Sequence, residues 1–153
     1  MVELFWKGAK TPQSLSVSEL QRIQTLFLTE TGENYSLGQL RRLPVSQNAG
    51  SQILVSSYGR IEGALWAMNI DHETVRVIGF CISKEYQKSG YGKGGWGMFA
   101  DIAKNNGRKK VYLEVKTSNH GAIKFYRANG LDSIGFLKKY YQDEIGLVMS
   151  GKL

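Results

Sequence analysis

Hydrophobic and polar positions follow two different periods along the 153-residue chain. Ser16 and Glu19 have the spacing of a capping box, which predicts the start of a helix. Leu20, Ile23 and Phe27 then recur at the spacing of one face of that helix. Segments rich in β-branched and aromatic residues and bounded by Gly, Asn or Asp predict strands instead.

Applied to the whole chain, the two periods predict four helices and seven strands. The helices cover residues 16–32, 36–43, 92–106 and 119–129, and the strands cover residues 2–6, 53–57, 61–70, 74–83, 111–116, 134–140 and 144–149. Their order, β-α-α-β-β-β-α-β-α-β-β, is neither a uniform βα alternation nor a run of strands alone. We therefore expect an α+β fold with a mixed, mostly antiparallel central sheet of about seven strands, in a single domain spanning residues 1–153.

Charge and composition narrow the class of protein. The net charge of +7 suits a polyanionic partner such as a nucleotide cofactor, a nucleic acid or an acidic protein. No apolar run approaches the roughly 18 residues that a membrane span needs, and the start of the chain lacks the charge pattern of a signal peptide. We therefore expect a cytoplasmic protein with no membrane partner. The one cysteine, Cys81, cannot form an internal disulfide and excludes a cysteine-based zinc site. No cluster of His, Cys and Asp residues suggests another metal site, so no metal is expected.

A predicted strand, a glycine-containing loop and a helix follow one another between residues 80 and 92. Backbone N–H groups at a helix start are unpaired and carry the positive end of the helix dipole, so a pyrophosphate fits there. Gly90 and Gly92 remove side chains that would keep a phosphate from the backbone, while Lys88 and Lys93 add positive charge. A tight turn without a ligand would show the same residues, and the pattern is neither a P-loop nor a Rossmann fingerprint.

A second segment places polar groups where a structural helix would be apolar. Asn119, Ala122, Ile123 and Tyr126 follow at i, i+3, i+4 and i+7 and share one helix face. In the strand before that helix, Glu114 points away from its apolar neighbours. Because an unpaired buried carboxylate costs free energy, Glu114 lies at an open rim or is retained for function.

The combination of these two segments resembles the GNAT superfamily of acetyl-CoA-dependent N-acetyltransferases. It consists of Gln87, Gly90 and Gly92 in the loop, followed by Asn119 and Tyr126 on the later helix. Within the superfamily, the segment 113–119 and the pair Tyr140-Tyr141 look most like the protein N-terminal acetyltransferases, including the ribosomal-protein alanine type. The resemblance implies a GNAT-like sheet whose strands splay at the cofactor site.

The resemblance also implies a role for each residue of the cofactor site. Phe80, Cys81 and Ile82 would offer backbone groups to the pantetheine arm of acetyl-CoA. The pyrophosphate would be held by the loop and the first residues of the helix, namely Gln87, Lys88, Ser89, Gly90, Tyr91, Gly92 and Lys93. Asn119 would bind the pantetheine or phosphate region, and Tyr126 would lie at the thioester sulfur.

The catalytic roles implied by the resemblance agree with the chemistry of acetyl transfer. Glu114 would act as general base and would take the proton of the amine through a water molecule. The Ile82 backbone N–H is the candidate donor to the oxyanion, and Tyr126 would supply a phenolic O–H to the leaving thiolate. Tyr35, Tyr140 and Tyr141 are the candidate contacts to the acceptor substrate.

Several alternatives stay open at this stage. Cys81 could carry an acyl group or be a small residue of a central strand, and Glu114 could pair with Lys116 as part of the structure. Tyr140 and Tyr141 could clamp a substrate or be ordinary hairpin residues. The acceptor could be a protein or peptide N-terminal amine, a small-molecule amine or a lysine side chain, and the protein could be a monomer or a homodimer. A basic nucleic-acid-binding module is a separate alternative, but no helix-turn-helix signature supports it.

Overall fold

The computed structural model describes residues 2–141 and 144–153, with the side chains of residues 139–141 excepted. The strands are β1 (Leu4–Gly8), β2 (Gln52–Ser56), β3 (Ile61–Asn69), β4 (Thr74–Ile82), β5 (Lys110–Lys116), β6 (Asp132–Tyr141) and β7 (Glu144–Lys152). The helices are α1 (Val17–Thr31), α2 (Leu37–Arg41), α3 (Tyr91–Asn105) and α4 (His120–Ala128), with short 3₁₀ turns at Pro12–Ser14, Gln47–Ala49 and Lys84–Tyr86.

Within these residues the seven strands form one mixed sheet in the order β1-β2-β3-β4-β5-β7-β6. All neighbouring strands are antiparallel except β4 and β5, which are parallel. The chain crosses from β4 to β5 through α3, as a parallel connection requires. The predicted α+β class and the mostly antiparallel sheet are therefore confirmed.

The capping signals read from the sequence place the ends of the first two helices. The Ser16 side chain accepts a hydrogen bond from the Glu19 N–H, the Glu19 side chain accepts one from the Ser16 N–H, and Gly32 ends α1 with a φ of 76°. The second helix is shorter than predicted and ends at Arg41. Pro44 keeps Leu43 out of the helical conformation, so Arg42 is the last residue with helical backbone angles.

Helices cover both faces of the sheet and enclose two apolar clusters. Helices α3 and α4 cover one face, where Trp96, Phe99 and Ile123 pack on strand residues. Helices α1 and α2 cover the other face, where Phe27 packs near Trp66. The sheet is therefore the middle of three layers.

The sheet has an opening between β4 and β5. The two strands pair over four residues only, from Thr74 opposite Lys110 to Val77 opposite Leu113. Ile78 is the extra residue of a bulge, because Trp66 on β3 pairs with Gly79 while the next β3 residue pairs with Val77. A bulge bends its strand and increases the twist, so the rest of β4 follows β3 while β5 stays with β7. The expected splay of the strands is therefore confirmed.

Candidate active site

The N-terminus of α3 forms an open cradle of backbone N–H groups. Gly90 precedes the helix with a φ of 88°, and no side chain caps the helix at this position. The first N–H groups of α3, starting at Tyr91, therefore have no partner within the helix. Lys88 has a φ of 60°, an uncommon conformation for a residue other than glycine, which turns the loop sharply into the helix. This arrangement suits a phosphate group.

Contacts from two strands hold the cradle in place. Trp6 Nε1 donates a hydrogen bond to the Tyr91 carbonyl oxygen at 2.9 Å, and the buried Gln52 donates one to the Gly95 carbonyl oxygen at 2.6 Å. A Cβ at Gly95 would lie 2.6 Å from the Trp6 ring. The four glycines within residues 92–97 lie in a continuous helix, and Gly95 permits the close approach of Trp6.

The Gln87 side chain holds the loop in place through two hydrogen bonds. Its side-chain nitrogen donates to the Ile82 carbonyl oxygen at 2.8 Å and to Glu30 Oε1 at 3.0 Å. These bonds tie the loop to the end of β4 and to α1. The Gln87 side chain therefore has a structural role, and its contact with the cofactor stays a prediction.

A groove runs from the loop into the splay between the strands. Its walls include Phe80, Ile82, Asn119 and Tyr126. The Ser83 N–H donates to β3 at 2.8 Å. Because peptide groups alternate in direction along an antiparallel strand, those of Ile82 and Phe80 point to the opposite side, into the splay. The structure thus brings the predicted backbone donors of β4 together with the predicted residues of α4.

Cys81 contributes backbone, and not its thiol, to this groove. Its side chain is buried in the apolar cluster beneath α1 and α2. Burial raises the pKa of the Cys81 thiol well above its usual range, so the nucleophilic thiolate is strongly disfavoured. This argues against the alternative of an acyl-carrying cysteine.

Asn119 and Tyr126 lie on the groove wall in different ways. Asn119 is the residue before α4, and its Oδ1 accepts a hydrogen bond from the Ala122 N–H at 3.2 Å. Its amide nitrogen is the part suited to donate to a ligand. Tyr126 is 8% exposed, and its ring lies 5.6 Å from that of Trp96. Of the two residues at i and i+7, Asn119 is thus the N-cap of the helix and Tyr126 is packed in the core, and both border the groove.

Glu114 lies in a narrow pocket inside the splay, which Tyr126 also borders. The Glu114 side chain is 12% exposed and its Oε1 lies 3.4 Å from Arg76 Nη2. Tyr112 donates its O–H to the same oxygen at 2.9 Å. Burial, and then this hydrogen bond, raise the pKa of Tyr112, so the phenol stays protonated and continues to donate. Lys116, the partner considered from the sequence, forms its ion pair with Glu144 at 3.3 Å.

Glu33 is a candidate functional residue that the sequence reasoning missed. It borders the pocket of Glu114 and also a second pocket between β4 and the segment joining α1 to α2. Tyr35, a predicted substrate contact, lines the second pocket and donates its O–H to Glu33 Oε2 at 2.6 Å. The available signal was Gly32, because a left-handed glycine ends α1 and turns the next residues towards the splay.

The other predicted substrate contacts, Tyr140 and Tyr141, lie at the end of β6. Their side chains are outside the described residues. Across residues 2–141 and 144–153, no group of three or more His, Cys, Asp or Glu side chains is placed to hold a metal ion. No helix in this described part of the chain has both the length and the apolar character needed to cross a membrane.

The family of the chain follows from comparison with known proteins. Residues 17–131 match the model of the acetyltransferase (GNAT) family, and the chain therefore belongs to that family. The expectation of an acetyl-CoA-dependent N-acetyltransferase is thereby confirmed. Comparison with curated protein sequences gave no match.

Solved structures of low sequence identity share the fold. The ribosomal-protein-S18-alanine N-acetyltransferase from Escherichia coli has a TM-score of 0.78 at 15% identity, over 98% of this chain and 94% of that chain. A GNAT family acetyltransferase from Elizabethkingia anophelis, solved with acetyl-CoA bound, has a TM-score of 0.68 at 16% identity, over 99% and 98%. A chimera of the spermidine N-acetyltransferase SpeG from Vibrio cholerae and hSSAT has a TM-score of 0.72 at 19% identity, over 97% and 95%.

Proposed function

We propose that this acetyltransferase acts on the N-terminal α-amine of a protein or peptide. The observation that carries the proposal is that two neighbouring pockets share lining residues. Glu33 and Ile78 border both the pocket of Glu114 and the second pocket beside α2. An amine next to Glu114 therefore has room for an attached chain, and that chain would run over the apolar residues Leu43 and Met68.

The N-terminus of α3 and the adjoining groove together offer groups that suit the parts of acetyl-CoA. The uncapped N-terminus of α3 offers backbone N–H groups to the diphosphate, with Lys88 and Lys93 exposed beside it. The groove beyond it offers the Ile82 and Phe80 peptide groups and the Asn119 amide to the pantetheine arm, which carries several amides. The groove reaches Tyr126, which also borders the pocket of Glu114, and the thioester would be attacked there.

Each reacting group then has a partner in the protein. Glu114 accepts the amine's proton through a water molecule, and the amine nitrogen bonds to the thioester carbon. The Ile82 N–H stabilises the oxyanion that forms. As the C–S bond breaks, Tyr126 donates its O–H proton to the departing thiolate, and the second proton that the nitrogen loses restores the phenol. Glu33 holds the acceptor as an ammonium ion before deprotonation.

The direct test is a thiol-release assay with acetyl-CoA and a panel of acceptors. The panel contains peptides with different first residues, the same peptides with blocked N-termini, free amino acids and polyamines. We expect release with free-amine peptides and none with blocked ones. Faster turnover of polyamines than of every peptide would refute the peptide assignment while leaving the acetyltransferase activity intact.

A small-molecule amine is the second candidate acceptor. Two carboxylates, Glu33 and Glu114, border the same pocket, and paired carboxylates attract a small cation. The polyamine arm of the panel decides between the two acceptors.

A further inference from the structure

Arg76 occupies a defined place in the second pocket. It lies on β4 two residues before the bulge residue Ile78 and opposite Met68 on β3. Arg76, Ile78 and Met68 all line the second pocket, together with Glu33. The guanidinium thus lies on the acceptor side of the splay, and its charge is opposite to that of the two nearby carboxylates.

Contacts among the described residues do not satisfy all the N–H donors of this guanidinium. Arg76 Nη2 faces Glu114 at 3.4 Å, which is longer than a charge-assisted hydrogen bond usually is. Within the part of the chain that the structure describes, Arg76 Nε is shielded from solvent and has no hydrogen-bond partner. The side chain is nevertheless 36% exposed. A guanidinium carries five N–H donors, so Arg76 has donors left for a ligand in the pocket.

We propose that Arg76 binds an oxygen on the carbon next to the amine-bearing carbon of the acceptor, which in a peptide is the first carbonyl oxygen. This inference rests on the proposed function. An ammonium held at Glu114 and Glu33 lies beside the Arg76 guanidinium because Glu114 and Arg76 are themselves paired. A carbonyl one carbon from the amine is then the acceptor atom nearest to that guanidinium.

The same residue selects against polyamines. A polyamine places a second cation, and not an oxygen, along the chain that follows the reacting amine. In this pocket the second cation would meet the Arg76 charge, and like charges at close range disfavour the wrong ligand. Arg76 is therefore a specificity-determining residue that distinguishes an α-amino carbonyl compound from an alkyl amine.

The test compares three acceptors with the wild-type enzyme and with Arg76→Lys. The acceptors are an alanine-led peptide, its isostere with the first carbonyl replaced by methylene, and free alanine. Lysine keeps the positive charge beside Glu114 but loses the fork of donors. We expect kcat/KM for the peptide to fall about 10- to 100-fold through KM, as for loss of a charge-assisted hydrogen bond. The isostere should be a poor substrate that the substitution barely affects.

Controls separate recognition from structure. Arg60→Lys makes the same chemical change in the exposed turn before β3 and should leave all three acceptors unaffected. Arg76→Gln is a second variant in case the lysine variant folds poorly. In the wild-type enzyme alone, equal kcat/KM for peptide and isostere would overturn the role of Arg76. Equal loss on both acceptors in the variant would also overturn it, since Arg76 would then act only through Glu114.

The outcome for free alanine separates this inference from the proposed function. A preference for alanine over the peptide, lost in Arg76→Lys, supports the recognition of an oxygen by Arg76 and refutes the peptide acceptor. A preference for polyamines over all three acceptors overturns both the role of Arg76 and the peptide acceptor. Peptide turnover that depends on the carbonyl and on Arg76 supports both.

Discussion

Replacing Gly90 with glutamate tests the phosphate cradle directly. Gly90 has a φ of 88°, and a Cβ there would meet no atom within 4 Å. The new side chain therefore has space, and the cost in folding free energy comes from a left-handed backbone, about 1–2 kcal/mol. For a chain of this size that cost lowers Tm by about 2–8 °C. The variant should fold, with a carboxylate at the mouth of the cradle.

The expected loss is in the response to acetyl-CoA. A ligand at 100 times its Kd stabilises the wild-type protein by about 2.7 kcal/mol, which corresponds to a rise in Tm of about 5–11 °C. In Gly90→Glu the added carboxylate occupies the approach to the unpaired N–H groups and repels a diphosphate. Thermal melts with and without acetyl-CoA should therefore show no rise in Tm for this variant.

Gly107 provides the matched control. It has a φ of 83°, open space around its Cβ position, and it lies beyond the other end of α3. A 15-residue helix separates the two sites by about 22 Å. Gly107→Glu should lose a similar amount of stability and keep the full response to acetyl-CoA. A full response in Gly90→Glu would refute the assignment of the loop, and a lost response in both variants would show that backbone strain alone explains the effect.

Three further predictions concern packing, chemistry and pH. Gly95→Ala should unfold about 1–3 kcal/mol more easily than Gly97→Ala, because only the first Cβ overlaps Trp6 while both gain helix propensity; equal Tm values in calorimetry would contradict this. Tyr126→Phe should lower kcat by about 100-fold or more with little change in acetyl-CoA affinity by calorimetry, and unchanged kcat would remove Tyr126 from the mechanism. Backbone N–H groups lower the pKa of Asp71 below 3.8, so its stabilisation is present above that pH and lost as pH falls through the lowered pKa. The Tm difference between wild type and Asp71→Ala should therefore vanish in acid, and a constant difference would count against it.

Local sequence patterns were sufficient to predict the helices and strands and the acetyl-CoA side of the site. Glycine at residue 90 predicted a turn open to phosphate, and it takes a left-handed conformation in front of α3. Ser16 and Glu19 predicted a capping box that the structure contains. These features are predictable because each depends on residues a few positions apart, whose conformations are restricted by local sterics and hydrogen bonds.

The acceptor side depended on the tertiary structure. The sequence indicated that Glu114 needs a partner or a function, and Lys116, two residues away, was the obvious candidate. Strand pairing instead brings Arg76 to Glu114, and the turn after α1 brings Glu33 to the same pocket. A periodic pattern shows which face a side chain occupies, but not which strand lies beside it. The sequence by itself thus determined the acetyl donor, while the pairing of β4 with β5 and the bulge at Ile78 decided what surrounds Glu114.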